Sequence, residues 1–242
     1  MTDEEAKMNR EIFNAERANS YDQRTEKMAP VRDAMLQMLE IALGGGLPGD
    51  ARVLCVGAGT GTEVIHLAER FPGWRLVAVE PAPAMMAVCR EKVREAGLLE
   101  RCDFHEGYLE MLPEREEGFD AATCLLVSHF FMNLGRRTEF FRGIAARLKP
   151  GGWLVSSDLA GDMAGEEYWQ VRVLWERVME GSASAHGNRV DLLPREEMRA
   201  MLGSAGFEEV AEIYQWLLIH GWVARRGEAG REEERARRRA GG

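Results

Sequence analysis

The sequence lacks the features that mark membrane-spanning, secreted and nucleic-acid-binding proteins. No apolar run approaches the roughly 20 residues that a membrane helix needs. The polar start, MTDEEAKMNREIF, has no hydrophobic region of a signal peptide. The net charge of -9 gives no overall attraction to nucleic acid or to an anionic membrane. We therefore expect a cytoplasmic protein with a small-molecule partner, with no membrane partner and with nucleic acid disfavoured.

Candidate metal ligands are few and scattered. The four cysteines form no CxxC pair, and two of them lie in apolar segments where a thiol acts as a small hydrophobic group. The five histidines form no HExxH pair and no cluster with other ligands. The sequence predicts neither disulfides nor a metal site, and it leaves open whether the chain forms a homodimer.

Apolar segments that suit strands alternate with helical patterns through the middle of the chain. The expected strands are 52–56, 75–79, 101–105, 120–127 and 152–157, with helices at 61–70, 84–96 and 136–148. Further helices are expected at about 30–43, 166–180 and 195–205, followed by strands in FEEVAEIY and WLLIHGWVAR. This alternation predicts an α/β fold with a parallel sheet covered on both faces, formed by one main domain.

A glycine loop follows the first expected strand, in VLCVGAGTGTEV. Gly57, Gly59 and Gly61 lie where an α/β sheet opens its ligand crevice, and glycine lets the backbone come close to a ligand. A dinucleotide fingerprint would have a third glycine where this chain has Thr62, which argues against NAD. Glu80, after the second strand, can accept hydrogen bonds from both ribose hydroxyls. Together these residues predict a nucleoside cofactor; a tight turn and a solvated strand end are the structural alternatives.

Four segments resemble, in order, the motifs of class I S-adenosylmethionine-dependent methyltransferases: VLCVGAGTG, VAVEPAPAMM, FDAATCLLVSHFF and LKPGGWLVSSD. The resemblance implies a Rossmann-like, seven-stranded, mostly parallel sheet with an antiparallel last strand. It also implies S-adenosylmethionine as the cofactor and S-adenosylhomocysteine as the product. The residues assigned to the cofactor site are Gly57, Ala58, Gly59, Gly61, Glu80, Pro81, Met85, Tyr108, Leu109, Leu125 and Tyr21.

The resemblance assigns parts of the cofactor to particular residues. The glycine loop faces the methionine part and Glu80 the ribose, while Met85 lies against adenine or is a core methionine. Many members have an Asp where this chain has Tyr108. Here the backbone would bind the adenine amine, or the Tyr108 side chain would stack on the adenine ring. The N-terminal segment resembles a lid, in which Tyr21 of a YD pair closes over the cofactor or simply packs on the core.

His129 is the candidate catalytic residue because it follows the fourth strand, where a base would lie beside the cofactor. The alternative is a histidine packed at a strand-to-helix junction. The segment CLLVSH lacks the Asn/Asp-Pro-Pro-aromatic motif of family members that methylate amide or nucleobase amino groups, so those acceptors are disfavoured. The predicted reaction is in-line transfer of a methyl group to a small organic acceptor.

The acceptor pocket is expected in a cap insertion at 159–193, between the fifth strand and the closing hairpin. An apolar stripe at helical spacing predicts a helix over the site, with Tyr168 and Trp175 binding substrate, although the stripe could only cover the sheet. The stripe consists of Tyr168, Val171, Leu174, Trp175 and Val178. Residues 1–50 are interpreted as the helical lid, 51–226 as the methyltransferase core that contains the cap, and 227–242 as a flexible charged tail.

Two other functions remain open. The layout is similar to the tRNA wobble-uridine carboxymethyltransferase branch, although the acidic charge gives this no support and the Arg136, Arg137 and Arg142 cluster is interpreted as a solvated helix face. A non-catalytic module that binds S-adenosylmethionine or S-adenosylhomocysteine would have the same cofactor residues.

Overall fold

A computed structural model describes residues 13–113, 117–179 and 191–228. The helices are α1 (Ala15–Arg24), α2 (Ala29–Gly44), α3 (Thr62–Arg70), α4 (Pro83–Glu95), α5 (Leu134–Arg147), α6 (Tyr168–Met179) and α7 (Arg195–Ser204). The strands are β1 (Arg52–Val56), β2 (Arg75–Glu80), β3 (Cys102–Glu106), β4 (Phe119–Leu125), β5 (Leu148–Leu159), β6 (Phe207–Trp216) and β7 (Ile219–Arg226). The predicted alternation of strands and helices is confirmed. Most of the predicted tail, and residues 180–190 of the cap, lie outside the described residues.

The strands form one seven-stranded sheet in the order β3-β2-β1-β4-β5-β7-β6. β1 pairs in parallel with β2 and β4, and the parallel pairing continues outward to β3 and β5. β7 enters antiparallel to β5 and forms the closing hairpin with β6. The predicted mostly parallel sheet with an antiparallel last strand is therefore confirmed.

Both faces of the sheet are buried, as the near-continuous apolar strands predict. Leu54 and Val56 of β1 pack into a core on the α5 and α7 side. Val53 and Cys55 point the other way, into a core with α2, α3 and α4. Because successive side chains of a strand alternate between faces, one five-residue strand contributes to both cores.

Two boundaries differ from the expectation. β5 begins at Leu148 instead of residue 152, and Leu148 pairs with Phe119 before a register shift. The KPGG segment therefore continues the strand through an irregular stretch, in which Gly151 has a φ of 72°. At the hairpin, Trp216 ends β6 instead of beginning the last strand, and Leu217 turns the chain with a φ of 52°.

The carboxyl ends of the parallel strands lie on one edge of the sheet, which positions the candidate site. β1 leads into the glycine loop, β2 ends at Glu80, β4 leads into a 3₁₀ turn at Ser128–Phe130, and β5 ends at Leu159. In the described ranges, no helix is both long and apolar enough to cross a bilayer.

Candidate active site

The three glycines of the loop after β1 all adopt left-handed backbone conformations, with φ values of 72°, 55° and 86° for Gly57, Gly59 and Gly61. A Cβ on Gly57 would lie 2.4 Å from Val127 Cγ2, and one on Gly61 would lie 2.7 Å from Cys89 Sγ. At Gly59 the nearest side chain is more distant, since a Cβ would lie 3.7 Å from the Met85 Cε. Gly57 and Gly61 thus allow Val127 and Cys89 to pack closely, whereas the backbone at Gly59 borders space that a ligand could enter.

Glu80 is buried at the end of β2 and is fixed against the glycine loop. Its Oε2 accepts a hydrogen bond from the Gly59 amide at 3.0 Å, and its Oε1 accepts one from the Ala82 amide at 2.9 Å. Burial raises the pKa of this carboxyl, and the two backbone hydrogen bonds partly oppose that rise. Each carboxylate oxygen keeps a second lone pair, so the group can still accept from a ligand hydroxyl.

Helix α1 lies against the start of α4 and reaches the glycine loop through Asp22. Asp22 Oδ1 accepts a hydrogen bond from Thr60 Oγ1 at 2.8 Å, and its other oxygen forms an ion pair with Lys92. Tyr21 packs with Met85, and its pKa is raised by burial and by the nearby negative charge of Glu80. The structure therefore places Tyr21 near Glu80 and against Met85.

The loop after β3 lies next to the end of β2. The Gly107 amide donates to the Glu80 carbonyl oxygen at 3.0 Å, which holds Tyr108 near the candidate ribose acceptor. The Tyr108 carbonyl oxygen lies 3.2 Å from His105 Nε2, and Leu109 is buried in the core. Pro81 and Leu125 are partly buried at the ends of β2 and β4.

His129 is buried in the 3₁₀ turn after β4 and faces the end of β5. Its Nδ1 contacts Asp158 Oδ1, which also accepts a hydrogen bond from the Leu159 amide at 2.8 Å. The second oxygen of Asp158 accepts from the Ser128 hydroxyl. Burial would raise the pKa of Asp158, but the charges of His129 and Arg137 and these hydrogen bonds outweigh it and lower the pKa. A carboxylate at Nδ1 leaves Nε2 as the ring nitrogen that can take a proton from a substrate.

The interpretation of the arginine cluster as a solvated helix face is wrong for Arg137. Arg136 and Arg142 are exposed, but Arg137 is fully buried. Its Nε donates to Ser128 Oγ at 2.8 Å, and its Nη2 lies 3.5 Å from Asp158 Oδ2. A buried arginine needs such partners because an unpaired charge is costly to bury. Residue type alone did not reveal that this arginine points inward.

The apolar stripe of α6 packs at the edge of the sheet. Tyr168 is buried with Leu159, Leu218 and Ile219, and Val171 and Trp175 pack against the same cluster. Leu174 does not belong to this face, since 47% of it is exposed. The correction follows from helix geometry, because Leu174 and Trp175 are adjacent in sequence and point about 100° apart.

A family profile described as a methyltransferase domain matches residues 53–152. The demethylmenaquinone methyltransferase of Thermus thermophilus is 30% identical over 173 residues, which cover 67% of this chain and 76% of that protein. The chain belongs to the class I S-adenosylmethionine-dependent methyltransferases.

Other similar proteins differ in length from this methyltransferase. The biotin biosynthesis bifunctional protein BioHC of Teredinibacter turnerae is 29% identical over 80% of this chain, but the chain spans only 32% of BioHC. The structure of a putative O-methyltransferase from Nostoc punctiforme superposes with a TM-score of 0.63 at 18% identity. The match covers 84% of this chain and 59% of that one. This likeness supports the fold alone.

The structure of this methyltransferase thus brings the glycine loop, Glu80, Tyr21 and the Tyr108 loop together at one edge of the sheet, with His129 at the end of the neighbouring β4. Sequence reasoning missed Asp158, Ser128 and Arg137. Asp158 could have been found, because it stands at the end of an apolar strand next to β4 and the ends of adjacent parallel strands share one edge. Sequence reasoning also missed Glu63, a buried acid that accepts a hydrogen bond from Thr123 Oγ1 at 2.8 Å.

Proposed function

We propose that this protein is a cytoplasmic enzyme that transfers a methyl group from S-adenosylmethionine to a small organic acceptor, with His129 as the general base. The observation that carries the proposal is the contact between His129 and Asp158 at the carboxyl ends of β4 and β5. Val127, two residues before His129, packs on Gly57 of the glycine loop. The turn that bears the oriented imidazole therefore begins next to the loop that is assigned to the cofactor.

The residues at the ends of β1 and β2 fit the donor. The open backbone at Gly59 suits a ligand chain that passes closely, and the lone pairs that remain on Glu80 suit the ribose hydroxyls. Met85 is buried with Tyr21 and Ala82, so an adenine at this place would meet an apolar surface. The donor supplies a methyl group that is already activated by the positive sulfur, and the protein has to align it with the acceptor.

A base is needed only when the acceptor loses a proton. The acceptor oxygen or acidic carbon forms a bond to the methyl carbon, and the carbon–sulfur bond breaks with its electron pair passing to sulfur. The acceptor proton passes to Nε2 of His129, and the imidazolium later releases it to solvent. Asp158 stabilises that imidazolium because its carboxylate contacts Nδ1.

The acceptor is proposed to bind between the end of β5 and α6. Tyr168 and Trp175 pack there with Leu125, which ends β4, and with Leu126, which follows it. Such aromatic and aliphatic side chains favour an acceptor with apolar surface. The relative from Thermus thermophilus is named for demethylmenaquinone, which supports a small organic acceptor here.

The proposal is tested with a labelled methyl donor and a pool of small organic acceptors. We expect label to pass to an acceptor, and His129→Ala to lower turnover by about 10²- to 10⁴-fold, the usual contribution of a general base. The affinity for S-adenosylhomocysteine should stay within a few-fold of wild type in calorimetry. His66→Ala is the matched control, because His66 is a partly buried histidine on α3 that pairs with Glu40.

The outcomes separate the alternatives. Binding of S-adenosylhomocysteine without transfer to any acceptor would favour a non-catalytic binding module. Normal turnover by His129→Ala with a lowered melting temperature would mean that His129 is a packing residue. Equal losses in His129→Ala and His66→Ala would point to a general effect on folding.

A further inference from the structure

Arg137 connects three separate segments around the His129–Asp158 pair. Its Nε donates to Ser128 Oγ at 2.8 Å, its Nη1 donates to the Asp191 carbonyl oxygen at 3.1 Å, and its Nη2 lies 3.5 Å from Asp158 Oδ2. The guanidinium is fully buried, so its contacts with Ser128 and Asp158 are shielded from water, and the contact with Asp191 is partly buried. One side chain of α5 therefore touches the turn after β4, the end of β5 and the chain that returns from the cap.

That return segment, residues 191–193, is also attached directly to the candidate base. The Asp191 amide donates to the His129 carbonyl oxygen at 2.9 Å. Two residues later, Leu193 accepts a hydrogen bond from the Gly161 amide at 3.1 Å and forms a parallel bridge with Ala160. The segment is thus held between the turn that bears His129 and the end of the strand that bears Asp158.

We propose that Arg137 is a positioning residue that couples the 191–193 segment to the His129–Asp158 pair and so sets the alignment of the base toward the acceptor. The inference rests on the proposed function, in which His129 takes the acceptor proton. The planar guanidinium reaches three directions at once, and a lysine ammonium cannot reproduce that geometry.

Arg137 also sets the charge balance at the pair. Within 13–113, 117–179 and 191–228, the other titratable groups that interact with Asp158 are Cys124 of β4 and Tyr214 of β6, whose hydroxyl donates to Ser157 Oγ at 2.6 Å. Arg137 is therefore the cation that shares Asp158 with the imidazole. Without that cation, the buried carboxylate of Asp158 would lose one of the two charged partners that the structure gives it, and its position against the His129 ring would no longer be fixed from the α5 side.

The test compares Arg137→Lys and Arg137→Met with Arg136→Met, the exposed neighbour on the same helix. Arg137→Lys keeps the buried charge but loses the fork, so amide exchange in 191–193 should quicken at least about tenfold. Its kcat/KM for the acceptor should fall about 10²-fold, as expected for an ångström-scale misplacement. Its pH profile should stay near that of wild type, and the affinity for S-adenosylhomocysteine should stay within a few-fold. Arg136→Met should match wild type throughout.

Arg137→Met removes both the charge and the fork, so it should quicken amide exchange in 191–193 and lower kcat/KM for the acceptor at least as much as Arg137→Lys does. The ¹⁵N chemical shifts of the His129 ring, assigned with His129→Gln, should differ from those of wild type, because Asp158 is no longer held by the guanidinium. These ring signals and the exchange rates need no acceptor, so they test the inference even if no methyl transfer is found, which would overturn only the proposed function. If Arg137→Met does not fold, Arg137→Lys decides, and unchanged exchange in 191–193 would overturn the coupling. A lower melting temperature with wild-type exchange in 191–193, wild-type ¹⁵N chemical shifts of the His129 ring and wild-type acceptor kinetics would make Arg137 a structural residue only.

Discussion

Glu63 should make this protein less stable as the pH rises toward neutrality. The residue is buried in the first turn of α3, where Thr123 Oγ1 donates to it at 2.8 Å. Burial raises its pKa from 4.5 to about 7, although hydrogen bonds from Thr123 and Cys55 oppose the rise. Because the native state holds this proton more tightly than the unfolded chain, the stabilisation is complete below about pH 4.5 and is lost as the pH rises to about 7.

The size of the loss follows from the two values. The difference between 4.5 and about 7, at about 1.4 kcal/mol per pH unit, corresponds to about 3 kcal/mol. A domain of this size has roughly 5–15 kcal/mol of stability in total, so the effect is measurable. Glu63→Gln cannot ionise and keeps an oxygen that accepts from Thr123, so it should lack this loss.

Urea unfolding between pH 4.5 and 8 measures the effect. The free energy of unfolding of Glu63→Gln, minus that of wild type, should grow by about 3 kcal/mol across this range and then level off. Glu69→Gln is the matched control, since Glu69 lies on the same helix but is exposed, and its difference should stay flat. A difference that is constant with pH for Glu63→Gln would refute the reasoning.

The remaining predictions concern the ligand sites. Glu80→Ala should weaken S-adenosylhomocysteine binding by about 1.5–3 kcal/mol in calorimetry, and Gly59→Val should weaken it by obstructing the ligand; unchanged affinity in both would contradict the placement of the cofactor. Asp22→Asn should speed S-adenosylhomocysteine dissociation roughly two- to fivefold in stopped-flow measurements, the value of a partly exposed ion pair, and an unchanged rate would argue against the lid contact. Trp175→Ala should raise the acceptor KM while Leu174→Ala does not, and equal effects would count against a pocket wall at α6.

The sheet could be predicted because its signals are local. Most of the parallel strands contain a short apolar run, and the glycines and Glu80 stand at strand ends, where the register of a single strand fixes their place. The start of β5 was missed because its first residues, LKPG, carry the signals of a helix end and a turn. Their pairing with β4 at Phe119 is a tertiary contact that periodicity does not report.

The apolar stripe of α6 was predicted from residue spacing, and the prediction was wrong about the direction in which Leu174 points from the helix axis. Leu174 was grouped with Tyr168, Val171 and Trp175 because it is apolar, yet the structure leaves it exposed while the others pack at the edge of the sheet. A single helix face can include residues at both +3 and +4, and the sequence does not say which of two neighbouring apolar residues faces inward. Burial is decided by the partner surface.

The network around His129 shows why a catalytic arrangement is harder to predict than the fold that holds it. Arg136 and Arg137 are adjacent and identical in type, but one lies in solvent and the other reaches Ser128, Asp191 and Asp158. The buried one contacts the Asp158 carboxylate and the Asp191 carbonyl oxygen, and those acceptors come from parts of the chain that are distant in sequence. The cost of burying a charge requires that all of these partners be present together. A buried ionic residue is therefore predictable once topology has placed its acceptors, which makes strand order the step that must precede any assignment of a base and the residues that position it.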